Sequence, residues 1–419
     1  MDLQAVLKEI EVRKEELFGL LSALVQINSE SFQHTGNEKK LAEYVHRLCE
    51  KLGLESSMYS PLELEGFTEH PDYMPGRGLE DRYNVTACWK GKADINGLML
   101  MAHLDTVEIG SLSNWEFPPL SGEIRDGKIF GRGACDDKYA IATVLFLVKL
   151  LKEAGFQPKE NLLFAAYCDE EYGGSHGALA AVLRDKCGRI VSMDGREGQL
   201  WHCGSGGAEF KYRFHCAEPV DSARRVARAM PLVLDVIDAF AARRKAELER
   251  NRFYAGTIIP GTSLRYMGVK AGNDGVDLGE GEVYFVFYTD KARDEILCEF
   301  AEFEELLKEK LEPLGMVSDG FRPATRFFHY VFCEPDSPDV LDMVEAAKAA
   351  TGEAPLVCGS CLSDLSVISK YGSDRAFGFG MGRDFSKKGG AHQPNEYMDC
   401  ENLLRYAKTM AAYILKVLQ

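Results

Sequence analysis

Acids and imidazoles are crowded into a few short stretches of this chain. "MAHLDT" carries His103 and Asp105, "GRGACDDKY" carries Asp136 and Asp137, "YCDEEYGG" carries Asp169, Glu170 and Glu171, and "VSMDG" carries Asp194. Residues two apart on an extended chain share a face, so His103 and Asp105 leave the strand together. Carboxylates gathered in one place raise one another's pKa unless a cation neutralises them. Carboxylate plus imidazole, without a thiolate cluster, is a donor set for Zn2+ or Mn2+. Two ions about 3.5 to 4 Å apart, sharing one carboxylate, would absorb this much negative charge. One acid must then stay unligated to act as base. A single Asp or Glu at a strand end is usually a helix cap or a solvated loop residue, but four strand ends with the same chemistry point to a shared metal site.

The elements around these residues explain how they would meet. Apolar runs at 83–89, 97–103, 161–167 and 188–194 read as strands, and amphipathic segments at 2–27, 37–53, 137–155 and 174–185 as helices. Strands alternating with helices predict an α/β domain with a mostly parallel sheet covered on both faces. Sites in such sheets gather beyond the carboxyl ends of the strands, where these acids fall. After "GSGG" the order becomes strand 208–216, helix 222–249, strands 262–270 and 282–288, helix 294–315 and strand 325–332. That is βαββαβ, an α+β ferredoxin-like unit inserted into the first domain. The expected division is 1–204 and 334–419 for the catalytic domain, with 205–333 as the inserted lid and dimerisation domain. "GRGACD" between strand and helix could also be a degenerate dinucleotide fingerprint. Asp136 and Asp137 would then place negative charge where a pyrophosphate must sit, which excludes it.

Composition narrows the partners. The chain has 419 residues and a formal net charge of -16, which argues against nucleic acid or an anionic membrane surface. No apolar run approaches the roughly 20 residues of a membrane span, and "MDLQAVLKEIEVRKEE" lacks a signal peptide's basic start and apolar centre. A cytoplasmic location follows, with the 12 cysteines as reduced thiols. Cys358 and Cys361 in "CGSC" have redox spacing, a weak signal without a thioredoxin-like context.

The segments "MAHLDTV", "GRGACDDK", "CDEEYGG", "VSMDG" and "GGAHQPNEYMD", in that order around an inserted domain, resemble the M20 metallopeptidases. This family includes dipeptidases, aminotripeptidases, carboxypeptidases and amino-acid deacylases. The resemblance implies two divalent ions, Zn2+ first and Mn2+ or Co2+ as alternatives. His103 and Asp194 would hold one, Glu171 and His392 the other, and Asp136 would bridge them. It also implies that the Asp105 carboxylate fixes the His103 tautomer, that Glu170 is the general base, and that the Asp136–Asp137 peptide is cis. The remaining histidines are read as structural or solvated.

In this resemblance Asp194 and "CDDK" look like the dipeptidase and aminopeptidase members, so a small peptide is the expected substrate. An N-acyl amino acid deacylase, a carboxypeptidase and a non-catalytic metal-binding relative are the alternatives. Tyr139 departs from the family by standing where a glycine is usual. No lid histidine is evident near Pro219, with His215 lying earlier, and "TDK" replaces the lid arginine. Asn273 resembles the lid asparagine that contacts substrate. Arg265 or Arg293 could take a carboxylate. Asp364 is either the family's substrate-loop acid or a helix N-cap. Many relatives pair through the lid, so a homodimer is expected.

Overall fold

The computed structural model describes residues 1–218, 220–254, 263–273 and 276–419, without the side chains of 273 and 276–278. Two compact units emerge. The first comprises Met1–Cys203, Phe332–Ser360 and Val367–Gln419, and the second Gly204–Val331 with Cys361–Ser366. In chain order the elements are α1 (Leu3–Val12), α2 (Lys14–Val25), α3 (Lys39–Lys51), β1 (Glu55–Tyr59), β2 (Asn84–Trp89), β3 (Asn96–His103), β4 (Ile124–Arg125), β5 (Lys128–Phe130), α4 (Lys138–Glu153), β6 (Asn161–Tyr167), α5 (His176–Arg184), β7 (Ile190–Ser192) and β8 (Gln199–Gly204). The second unit contributes β9 (Gly206–Cys216), α6 (Ser222–Leu248), β10 (Leu264–Asn273), β11 (Val276–Thr289), α7 (Arg293–Leu311) and β12 (Met316–Pro323). β13 (Val331–Phe332), α8 (Pro338–Thr351), β14 (Val357–Gly359), α9 (Leu365–Val367), β15 (Ala376–Gly380), β16 (Tyr397–Asp399) and α10 (Cys400–Leu418) follow.

The main sheet has the order β1-β2-β6-β3-β7-β15-β8-β13, with β14 beside β8. Its centre is parallel: β6 with β3, β3 with β7, and β7 with β15. β2 and β8 run antiparallel to their inner neighbours, so the sheet is mixed with a parallel middle. Every residue of β6 is buried, as expected of a strand covered on both faces. Its alternate residues Leu162, Phe164 and Ala166 join one large apolar cluster with α2, α4 and α10. α5 packs on β2 and β6, and its Leu179 and Ala180 join a second cluster with Tyr59, Phe67 and Leu79.

The second unit has the sheet order β10-β11-β9-β12, the strand order of a ferredoxin-like βαββαβ fold. Along β9, Ala208, Phe210, Tyr212 and Phe214 face a core shared with α6 and α7, while Glu209, Lys211, Arg213 and His215 alternate outward.

Three expectations need correction. The helix expected over 2–27 is two helices, broken at Arg13 (φ -103°, ψ 16°), whose guanidinium binds Glu16 and Glu153 at 2.7 and 2.6 Å. The last strand of the inserted unit is β12, not 325–332. In that segment Arg326, Phe327 and Phe328 are buried in succession, which defeats the alternation a one-sided sheet requires. Finally, the strand before Asp136 is β5, which belongs to a separate sheet of order β16-β5-β4.

Candidate metal centre

β6, β3 and β7 are neighbours and parallel, so their carboxyl ends leave the sheet along one edge. His103 is the last residue of β3, Asp169 to Glu171 follow β6, and Asp194 lies two residues beyond β7. The sequence periodicity thus delivers three chemical segments to one place.

The first two segments are tied together by backbone. Leu104 N–H donates to Tyr167 O at 2.7 Å, and the Asp105 carboxylate accepts the N–H groups of Glu170 (3.0 and 3.1 Å) and Glu171 (3.2 Å). Asp105 was expected to fix the His103 tautomer through its carboxylate. Instead His103 Nδ1 donates to the Asp105 backbone carbonyl at 2.9 Å, while the carboxylate is 3.8 Å away. The carboxylate is drawn to the two amide donors of the Glu170–Glu171 turn, and Nε2 of His103 is left facing inward. Val107 N–H binds Glu171 Oε1 at 3.1 Å and so orients that side chain.

Asp136 arrives along the loop after β5 and His392 along the loop before β16. Glu396, buried, joins the two loops: it accepts Arg132 Nη1 at 2.6 Å and Cys135 N–H at 3.0 Å. His392 has a left-handed backbone (φ 62°), and the Asp136–Asp137 peptide is cis, as the family resemblance implied. Asp136 then stands between two imidazoles, with Oδ1 3.1 Å from His103 Nε2 and Oδ2 3.2 Å from His392 Nε2. His392 Nε2 is also 2.8 Å from Glu171 Oε2. Among the described residues, donor atoms of His103, Asp136 and Glu171 lie within 4.8 Å of one another. Asp194 is half-buried and outside that trio, and its charge is felt at Asp137.

The electrostatics are those of a site short of positive charge. Burial alone would lower the His103 imidazole, but the hydrogen bond and charge of Asp136 outweigh it and hold the ring protonated well above its ordinary pKa. The His392 side chain is exposed, so its desolvation opposes a proton only in part, and Glu171 and Asp136 push it up to about 11. Asp136 is desolvated but held below the usual carboxylate range by both rings. Asp137 is pushed up by burial, with Asp194 and Asp136 adding to it, and both its carboxylate oxygens are buried. Two imidazole nitrogens, several carboxylate oxygens and an excess of buried acid fit divalent cations of the zinc or manganese type.

Beneath the Glu170–Glu171 turn lies a network whose role the local sequence did not reveal. Asp169 (φ 64°) is fully buried and accepts hydrogen bonds from Arg77, from Arg82 Nη1 at 2.7 Å and from His176 Nδ1 at 2.5 Å. His176 Nε2 accepts Met74 N–H at 3.1 Å, which leaves Nδ1 as the protonated nitrogen. Arg82 also reaches Glu38 Oε1 (2.5 Å), Ser31 Oγ (2.8 Å) and, at 3.6 Å, Asp105. Gly174 is required here, because a Cβ would collide with the Asp169 carboxylate. No short-range pattern finds these arginines, since their partners lie between 44 and 92 residues away.

Tyr139 is buried and its hydroxyl is engaged on both sides, donating to Met193 O at 2.8 Å and accepting Met381 N–H at 2.8 Å. Asp364 lies in the second unit, buried, with Arg326 Nη2 at 3.4 Å. Arg326 was not singled out from the sequence. Arg265 is exposed on β10, and Arg293 opens α7 beside Asp294 at 3.6 Å. His215 pairs with Asp319 at 3.0 Å. The side chain of Asn273 lies outside the described residues, as does Pro219. Cys358 is buried and Cys361 half-buried, and the two are not joined in a disulfide.

Residues 99–416 match peptidase family M20/M25/M40, and the chain belongs to that family. Human carnosine dipeptidase 1 has the same fold, with a TM-score of 0.70 at 16% identity over 99% of this chain and 98% of that one. Shorter stretches align more closely with two curated proteins. One is a probable carboxypeptidase S-like 2 of Dictyostelium discoideum, 39% identical over 98 residues, which are 23% of this chain and 19% of that protein. The other is a succinyl-diaminopimelate desuccinylase of Wigglesworthia glossinidia brevipalpis, 37% identical over 94 residues, 22% of this chain and 25% of that protein. Among the described residues, no helix is long and apolar enough to cross a membrane.

Proposed function

We propose that this protein hydrolyses an amide bond in small peptides, acting as a dipeptidase or aminopeptidase that depends on two divalent metal ions. The observation that carries this is Asp136, whose two carboxylate oxygens each face a different imidazole, His103 at 3.1 Å and His392 at 3.2 Å, as a bridging ligand would. His103 and Asp194 would hold one ion and Glu171 and His392 the other, and zinc suits these donors best. When bound, such ions supply a water of lowered pKa and a Lewis acid for the amide carbonyl. Glu170 is the remaining acid of the turn. It would take the proton from the attacking water and return it to the departing amine nitrogen. The Asp105 carboxylate would hold the Glu170 backbone in place for that transfer.

The relatives span a carboxypeptidase and a desuccinylase, which keeps an N-acyl amino acid as the second candidate substrate. Hydrolysis of a panel of free-amino dipeptides beside N-acetyl and N-succinyl amino acids, with Zn2+, Mn2+ or Co2+ added, separates the two. Cleavage of dipeptides alone supports the first assignment, cleavage of acyl amino acids alone replaces it, and cleavage of neither refutes both. A cytoplasmic homodimer completes the proposal. Exposed Tyr266, Met267 and Val269 on the edge strand β10 support pairing of two second units, which light scattering of the purified protein would test.

A further inference from the structure

The Tyr139 hydroxyl sits where three segments of the first unit converge. It is in the first turn of α4, three residues after Asp136. Its oxygen donates to Met193 O at 2.8 Å, lies 3.4 Å from Gly195 O, and accepts Met381 N–H at 2.8 Å. Met193 and Gly195 are the residues on either side of Asp194, so the hydroxyl grips the backbone of the Asp194 turn from both sides. Other contacts hold that turn in register: Met193 N–H donates to Met101 O at 2.8 Å, and Gly382 N–H to Gly195 O at 2.8 Å. The ring is fixed by an edge-to-face contact with Tyr406, centroids 5.2 Å apart, whose own hydroxyl binds Phe379 O at 2.9 Å. Tyr139 therefore has one position open to it, and that position links the segment bearing Asp136 to the turn bearing Asp194.

We propose that Tyr139 is a positioning residue that sets the Asp194 carboxylate relative to Asp136, and that its hydroxyl governs the metal position shared by His103 and Asp194 more than the position shared by Glu171 and His392. This rests on the ligand assignment in the proposed function. Tyr139 stands behind Asp194 alone, whereas Arg82 and Asp169 stand behind the Glu170–Glu171 turn, and Asp105 serves both halves, its carbonyl holding His103 and its carboxylate the Glu171 amide.

The test is Tyr139→Phe, which keeps the ring and removes only the hydroxyl, beside Tyr406→Phe, which removes a neighbouring buried hydroxyl whose hydrogen bond goes to Phe379 O. Stepwise Co2+ binding by titration calorimetry and the visible d–d spectrum of the loaded protein are compared with wild type. Tyr139→Phe is expected to weaken one of two binding steps by roughly 10- to 100-fold and shift the spectrum, with the other step within about threefold. Hydrogen exchange at 193–195 in the metal-free protein should quicken. In Tyr406→Phe both binding steps stay within about threefold of wild type. Equal effects of the two variants, or wild-type binding by Tyr139→Phe, would overturn the proposal. A wild-type protein that binds fewer than two ions also overturns it. One that binds two ions yet cleaves no substrate sinks only the proposed function.

Discussion

Asp169→Asn puts the support of the Glu170–Glu171 turn to a direct test. Every group facing this carboxylate is an N–H donor: Arg77, Arg82 Nη1 at 2.7 Å and His176 Nδ1 at 2.5 Å. An asparagine can accept with its oxygen but turns its NH2 toward donors on the other side. It also leaves Arg77 and Arg82 buried with less negative charge around them. Removing one partner of a buried ion pair costs about 3 to 5 kcal/mol. At roughly 2 °C per kcal/mol for a unit of this size, the melting transition of the first unit should fall by about 6 to 10 °C. The assay is differential scanning calorimetry in the presence of chelator, so that bound metal does not mask the loss. The exposed pair Arg405–Glu353, 2.6 Å apart, gives the contrast. Glu353→Gln should cost no more than about 1 kcal/mol. If Asp169→Asn melts within 2 °C of wild type, using the same conversion, the ionic account of this network is wrong.

Three other outcomes follow from the site and its surroundings. Burial raises Glu38 to about 7 despite the pull of Arg82. A carboxyl with a raised folded pKa stabilises fully below its unfolded value and loses that contribution as pH climbs through the folded one, so wild type should weaken between about pH 4.5 and 7. Glu38→Gln should flatten that dependence in urea melts, and equal slopes would contradict it. Metal must displace protons from His103 and His392, both held protonated without it, so calorimetry at pH 7 in buffers of different ionisation enthalpy should report release of about two protons per chain. No release would refute the assignment. Glu396→Gln, which weakens the Arg132 link between the Asp136 and His392 loops, should lower metal affinity by roughly 10-fold or more, read by chelator competition.

Much of the site was legible in the sequence because its chemistry rides on regular strands. An apolar run ending in His103, another ending before Glu170 and a third before Asp194 need only period and polarity to be placed, and parallel pairing brings their ends to one edge. His392 was not legible this way. It lies in a glycine-rich loop nearly two hundred residues after Asp194, and only the family resemblance marked it. Two errors share one cause. The strand before Asp136 is expected to share the sheet edge of the other acids and 325–332 to be a sheet strand, because short apolar runs do not say which sheet they join, or whether they join one. The supporting network was illegible for another reason. Arg77, Arg82, Glu38 and His176 look like ordinary polar residues until folding buries them around Asp169. The roles of Asp105 were only half readable, since nothing in "HLDT" indicates that its carbonyl serves His103 while its carboxylate serves the next turn.

Glu170→Gln tests the central claim most directly. Wild type and variant are loaded with the same metal, their ion content is measured, and both are assayed on the substrate that wild type cleaves. A Glu170→Gln protein that keeps two ions per chain and loses at least about 100-fold in kcat is the expected result. A variant with full metal content and kcat within threefold of wild type would contradict the assignment of Glu170 as the proton carrier at this centre.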